Sequence, residues 1–170
     1  MINLKHVEKV KYNGIYKFYR IDPGTKKMKQ FDEVENILTD RMLNSLIVAL
    51  KGLNSSTYQN GIDIRQLAIG DSNTTPASSD TKLGNEVYRF PMTSQIITDT
   101  GELTTEFYMA DNEFSGQIEE IGIYGGRYAY DWEDGLFKDW GNLLSHALWS
   151  YEKIDAEQIV VQRIDRLTRG

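Results

Sequence analysis

The sequence predicts a mainly β fold: an antiparallel β sandwich, jelly-roll-like, with one amphipathic helix and an N-terminal β-hairpin arm. Three observations lead there. Over most of the chain, apolar residues alternate with polar ones or fall into short β-branched runs bounded by Gly, Asn and Asp. Helical spacing of apolar residues is convincing only once, at Met42, Leu43, Leu46, Ile47 and Leu50. Near the N-terminus, Asn13-Gly14 separates two β-forming runs, the strongest short-range signal for a hairpin.

In chain order, Val7, Val10 and Tyr12 lead through Asn13-Gly14 into Ile15, Tyr16, Phe18 and Ile21. Residues 1–35 are therefore expected as a β-hairpin arm, a docking segment, and residues 36–170 as the β-sandwich domain. Asp22-Pro23-Gly24 followed by Lys26, Lys27 and Lys29 reads as a solvated turn. Thr39 or Asp40 is placed to cap the helix, and Gly52 to stop it. Ile62, Ile64, Leu67 and Ile69 slip in phase near Arg65-Gln66, which a β-bulge would correct. Residues 71–80 are polar and aperiodic with Pro76 in their middle, so they belong on the surface. Further strands are expected at 86–90, 94–97, 103–109, 118–124, 143–149 and 159–167.

Composition narrows the function classes. The chain of 170 residues carries 25 acidic and 19 basic residues, a net charge of −6, which disfavours a nucleic-acid binder that works by counterion release. No apolar run approaches the roughly 20 residues of a membrane span, and the N-terminus lacks the order of a secretory signal. There is no cysteine, so disulfides, thiolate nucleophiles and sulfur-ligated zinc are excluded. The two histidines, His6 and His146, offer no base beside a nucleophile, because Ser145 and His146 point to opposite faces of a strand. His146 is expected to face solvent or a partner, and His6 to belong to the arm. Acidic groups at Asp131, Glu133 and Asp134 and at Glu119-Glu120 are abundant without a defined pair. Neither the calcium-loop pattern nor a phosphate-cradling glycine motif is present. No enzyme activity, cofactor or metal is expected.

Aromatic residues crowd the last third: Tyr124, Tyr128, Tyr130, Trp132, Phe137, Trp140 and Trp149. They read as core and interface, since tyrosine and tryptophan bury a large body while keeping a polar tip satisfied. Tyr12, Tyr16, Phe18, Tyr128, Trp132 and Trp140 are the candidate interface residues.

Three segments carry a resemblance. The first runs Leu67-Ala68-Ile69-Gly70, Thr75-Pro76-Ala77 and then Asp80-Thr81-Lys82-Leu83-Gly84-Asn85-Glu86-Val87-Tyr88-Arg89. The second is Phe114-Ser115-Gly116-Gln117-Ile118-Glu119-Glu120-Ile121-Gly122-Ile123-Tyr124, and the third spans residues 153–161. Together they resemble bacteriophage virion structural proteins of the tail-fibre and baseplate-associated kind, over about 100 residues. The resemblance marks Gly70, Leu83, Gly84, Glu86, Arg89, Glu120 and Gly122 as a scaffold motif, with Glu86 and Arg89 able to pair with each other or with Glu120. It implies a structural subunit, made in a bacterial cytoplasm and ending in the virion, whose partners are other virion proteins and copies of itself. A head or collar fibre-attachment protein, a tail module gripping host saccharide through Tyr128, Trp132 and Trp140, and a tail hydrolase are the alternatives.

Overall fold

The computed structural model describes residues 10–50, 63–125, 139 and 141–169. Among these are nine strands and one helix: β1 (Val10–Ile21), β2 (Met28–Glu35), β3 (Ile37–Leu38), α1 (Asp40–Leu50), β4 (Ile64–Gly70), β5 (Glu86–Asp99), β6 (Glu102–Met109), β7 (Gly116–Gly125), β8 (Asn142–Lys153) and β9 (Ile159–Arg169). All pair antiparallel in one sheet of order β2-β1-β9-β6-β5-β4-β7-β8-β3.

The two edge strands of that order, β2 and β3, are separated in sequence by Asn36 alone. The edges of the sheet are therefore brought together, and the sheet curls into a nearly closed barrel. Across the seam, the Trp149 indole N–H donates to Asp32 at 3.0 Å, and Phe31 lies 5.1 Å from the Tyr151 ring. The expected sandwich of two separate sheets is replaced by this single curled one. The two strands anticipated at 86–90 and 94–97 are one bent strand, β5. Its first part pairs with β4 and its second with β6, with Pro91 at the junction and a register shift just after it.

A hairpin does open the described chain, but its turn is not at Asn13-Gly14. Those residues lie inside β1, which pairs with β9 from Val10 to Arg20 without interruption. Gly14 is there for close approach: a Cβ would collide with the Tyr12 hydroxyl and the Asn36 amide. The chain reverses instead after β1, where Asp22 accepts hydrogen bonds from the Thr25 amide (2.6 Å) and hydroxyl (2.9 Å). Consequently Val10–Ile21 is an internal strand, not a projecting arm, and Tyr16 and Phe18 are fully buried.

Alternation works as anticipated on β6, where Thr105, Phe107 and Met109 are buried. The expected bulge in β4 appears as a register shift between Ile64 and Gln66. On α1, the Thr39 hydroxyl accepts the Met42 N–H at 3.3 Å, so Thr39 is the cap. The apolar stripe is only partly used: Met42 packs in the core and Leu46 against it, but Leu43 and Ile47 are 49% and 65% exposed.

Strand β4 is buried almost continuously because both its faces are covered. Leu67 and Ile69 point into the barrel with Phe90, Ile121, Ile123 and Trp149. Ala68 points outward, where Tyr124 and Leu143 meet Leu83 from the 71–85 loop. The loop thus lies on the barrel's outer wall, and its inner side forms the roof of the site described next.

Candidate functional site

Among the described residues, two ionic clusters are buried. The first lies on the outer wall of β4, β5, β7 and β8, beneath the 71–85 loop. Glu120, fully buried on β7, accepts the backbone N–H groups of Gly84 (2.9 Å) and Asn85 (2.8 Å), which ties the end of the loop to the wall. A Cβ on Gly70 would strike the Glu120 carboxylate and the Asn85 carbonyl, so only glycine lets that carboxylate lie flat on β4. Beside it, Arg89 and Glu86 make a bidentate pair, with Nη2 to Oε2 at 2.7 Å, both side chains no more than 2% exposed. The Arg89 guanidinium stacks 3.9 Å from the Tyr124 ring centre and donates to Gln66 at 3.1 Å. The Tyr124 hydroxyl accepts the Leu83 N–H at 3.1 Å, and burial pushes its pKa well above the usual phenol value. Gly122 lies opposite Ala68 on β4 and His146 on β8.

His146 was expected to face solvent or a partner; it is 2% exposed and clamped. Its Nδ1 lies 2.8 Å from an Asp80 oxygen and its Nε2 2.9 Å from a Glu120 oxygen. A ring that gives a hydrogen bond to a carboxylate at each nitrogen carries both protons, hence a positive charge. Burial works against that charge, but the hydrogen bonds to Glu120 and Asp80 outweigh it and raise the imidazole pKa above its ordinary 6.5. In turn, burial would raise the Glu120 carboxyl, while His146 and the two amides overcome this and hold it below 4.5. The arrangement has no free ring nitrogen to take a proton from a substrate, so its chemistry is that of a cationic rivet between a loop and a wall.

The second cluster is inside the barrel. Arg163, fully buried on β9, donates to Asp165 Oδ1 at 2.7 and 3.0 Å, to the Ser145 hydroxyl at 2.8 Å and to the Tyr12 hydroxyl at 3.2 Å. The Tyr12 hydroxyl donates to Asp165, and Tyr16 pairs with Ser145 at 2.7 Å. Burial, partly countered by Arg163, raises Tyr12 to about 12. Against burial, Asp165 raises Arg163 further above the usual guanidinium range. Tyr12 and Asp165 also line an apolar cavity of about 460 Å³ at the mouth of the barrel, with Met42, Leu46, Ile64 and Leu103.

The seven scaffold-motif residues therefore sit together on one patch of wall: Glu86 binds Arg89, as one of the expected pairings had it, while Glu120 takes His146 instead. Of the candidate interface residues, Tyr16 and Phe18 are core, and Phe18 stacks 3.8 Å from Trp149. Tyr12 is half-buried in the second cluster. Tyr128, Trp132 and Trp140 lie outside the described residues, as do His6, Asp131, Glu133 and Asp134. Sequence reasoning missed Asp80, His146, Arg163 and Asp165. For the last two a signal existed, because Arg163 and Asp165 fall on the inward phase of β9 together with Val161. No group of His, Asp and Glu able to hold a metal ion occurs among the described residues, and none of their helices is long and apolar enough to cross a membrane.

No protein-family model, curated protein or solved structure matches the chain.

Proposed function

We propose that the chain is a structural subunit of a bacteriophage virion, a tail, baseplate or fibre-attachment component that acts by protein–protein assembly. The observation that carries this reading is that two of the three segments behind the resemblance, far apart in sequence, form one buried architectural patch in which Glu120 ties down Gly84 and Asn85 and Glu86 holds Arg89. Such a patch fixes a loop and a wall and offers no reactive group to solvent. Both polar clusters favour a scaffold in the same way. The single described histidine is fully engaged, and Ser145 is buried between Tyr16 and Arg163. Apolar surface for assembly lies at one end of the barrel, where Val10, Ile96, Ile97 and Leu167 are between 48% and 77% exposed. Partners in this reading are other virion proteins and further copies of the chain, with the acidic remainder of the surface keeping free subunits soluble.

Gold-labelled antibody against the chain, applied to phage particles whose genome encodes it, tests the proposal. Label at the tail tip or baseplate is the expected result. Label at the collar or capsid moves the subunit to the head-attachment alternative, and particles without label overturn a virion role. Incubating the purified chain with host capsule or wall polysaccharide provides the second test. Release of defined oligosaccharides would replace assembly with the tail-hydrolase alternative.

A further inference from the structure

We propose that residues 72–82 form a latch over the N-terminus of α1, closed while His146 is charged and opened when His146 loses a proton. The loop is built as a strap with a fixed neck and a pinned tip. At the neck, the Asp71 N–H donates to the Asn85 carbonyl (3.2 Å) and the Asn85 amide donates to Asp71 (2.6 Å), while Leu83 is buried against Tyr124 and Leu143. At the tip, Asp80 accepts the Ala77 N–H (2.8 Å) and bonds His146 (2.8 Å), and the Ser78 carbonyl accepts the Asp40 N–H at the start of α1 (2.7 Å). Apart from Asp80, Pro76 and Ser72, which are half-buried, residues 71–82 are exposed, so little apolar burial holds the tip down.

Removing one proton from His146 leaves one N–H and one lone pair, so one carboxylate must lose its donor. Glu120 is fully buried and depends on the interaction, whereas the Asp80 side chain is 28% exposed and rehydrates at little cost. The remaining proton therefore stays toward Glu120, and the Asp80 carboxylate faces a lone pair. Release falls on the loop side and the wall stays intact. The charged groups that face the ring are Asp80 from the loop and Glu120 from β7; the paired strand β3 contributes Ile37 and Leu38, which carry no charge. Because the two carboxylates raise the ring's pKa above its ordinary 6.5, the latch is shut below pH 6.5 and opens as pH rises through the ring's folded value.

Proton NMR of the His146 ring, combined with amide hydrogen exchange corrected for its intrinsic pH dependence, tests this on the whole chain. Protection of the Ala77 and Asp80 amides at the tip, and of the Asp40 amide bonded to the Ser78 carbonyl, is expected to fall by roughly tenfold or more, the loss of one charge-assisted hydrogen bond. Its midpoint should coincide with that of His146 and lie above 6.5. Below pH 6.5, where the wild-type ring is charged, Asp80→Asn should open the tip while β6 and β9 stay folded, and His146→Gln should do the same. If His146→Gln does not fold, Asp80→Asn decides the matter alone. A ring midpoint at or below 6.5, tip protection that ignores the titration, or cooperative unfolding of β6 and β9 together with the tip would each overturn the latch.

Discussion

The two buried ionic clusters solve the same problem with different chemistry. On the outer wall, beside the Arg89–Glu86 pair, an imidazole bridges two anions that come from a loop and a strand and so joins segments far apart in sequence. Inside the barrel, the cation is a guanidinium and its carboxylate partner sits two residues away on the same strand. An imidazole can shed its charge within ordinary pH, whereas a guanidinium cannot. The imidazole bridge of the wall is therefore a conditional fastening, and the interior guanidinium pair a permanent one. The difference also bears on what each costs when broken, because the Asp80 carboxylate is 28% exposed and rehydrates readily, whereas Arg163 and Asp165 are 0% and 11% exposed.

The largest effect is expected at Arg163. Arg163→Ala leaves Asp165 in the barrel with only Tyr12 to answer it, and a broken buried pair typically costs about 3–5 kcal/mol. Urea unfolding should show that loss, and changing Asp165 to leucine in an Arg163→Met background should recover most of it. If Arg163→Ala is nearly neutral, the interior cluster is wetter than the burial of Arg163 implies, and the contrast with the wall collapses. Glu120→Gln comes next, at about 1.5–3 kcal/mol for hydrogen bonds to a charged group. Its cost depends on pH. A carboxyl held below 4.5 contributes stability that is present above 4.5 and lost as pH falls through its folded value. An imidazole raised above 6.5 contributes stability that is complete below 6.5 and lost as pH rises through its folded value. The gap between wild type and Glu120→Gln should thus be widest between pH 4.5 and 6.5 and narrow on both sides.

The same contrast explains what could be read in the sequence. Strands β6, β7, β8 and β9, the helix cap at Thr39 and the bulge in β4 follow from periodicity and short-range chemistry, so they were legible. β2 was not, because Met28–Glu35 is a charged stretch whose strand character comes from pairing with β1 and closing the seam at Trp149. Asn13-Gly14 misled for a related reason: its glycine answers the Tyr12 and Asn36 side chains, which approach from elsewhere in the fold. At the site, the scaffold motif was visible as residues but not as a geometry. Glu86 and Arg89 are close in sequence, and their pairing was foreseeable. His146, Asp80 and Glu120 are joined only by the curling of the sheet and the path of the loop, which no local pattern encodes.

The smallest effect sharpens the comparison most. Tyr12→Phe removes one hydroxyl from the edge of the interior cluster and leaves the Arg163–Asp165 pair in place, so it should cost about 1 kcal/mol, the usual net value of one hydrogen bond. Its pH signature is the informative part. A phenol raised from 10 to about 12 contributes stability that is complete below pH 10 and lost as pH climbs through about 12. The difference between wild type and Tyr12→Phe should therefore stay flat across the range in which Glu120→Gln rises and falls, and shrink only above pH 10. Denaturant midpoints for both variants along one pH series would show two separate curves. A Tyr12→Phe difference that instead followed the imidazole titration would mean that the interior and wall clusters share charge through β8, where Ser145 and His146 are neighbours on opposite faces, and that the permanent fastening is tied to the conditional one.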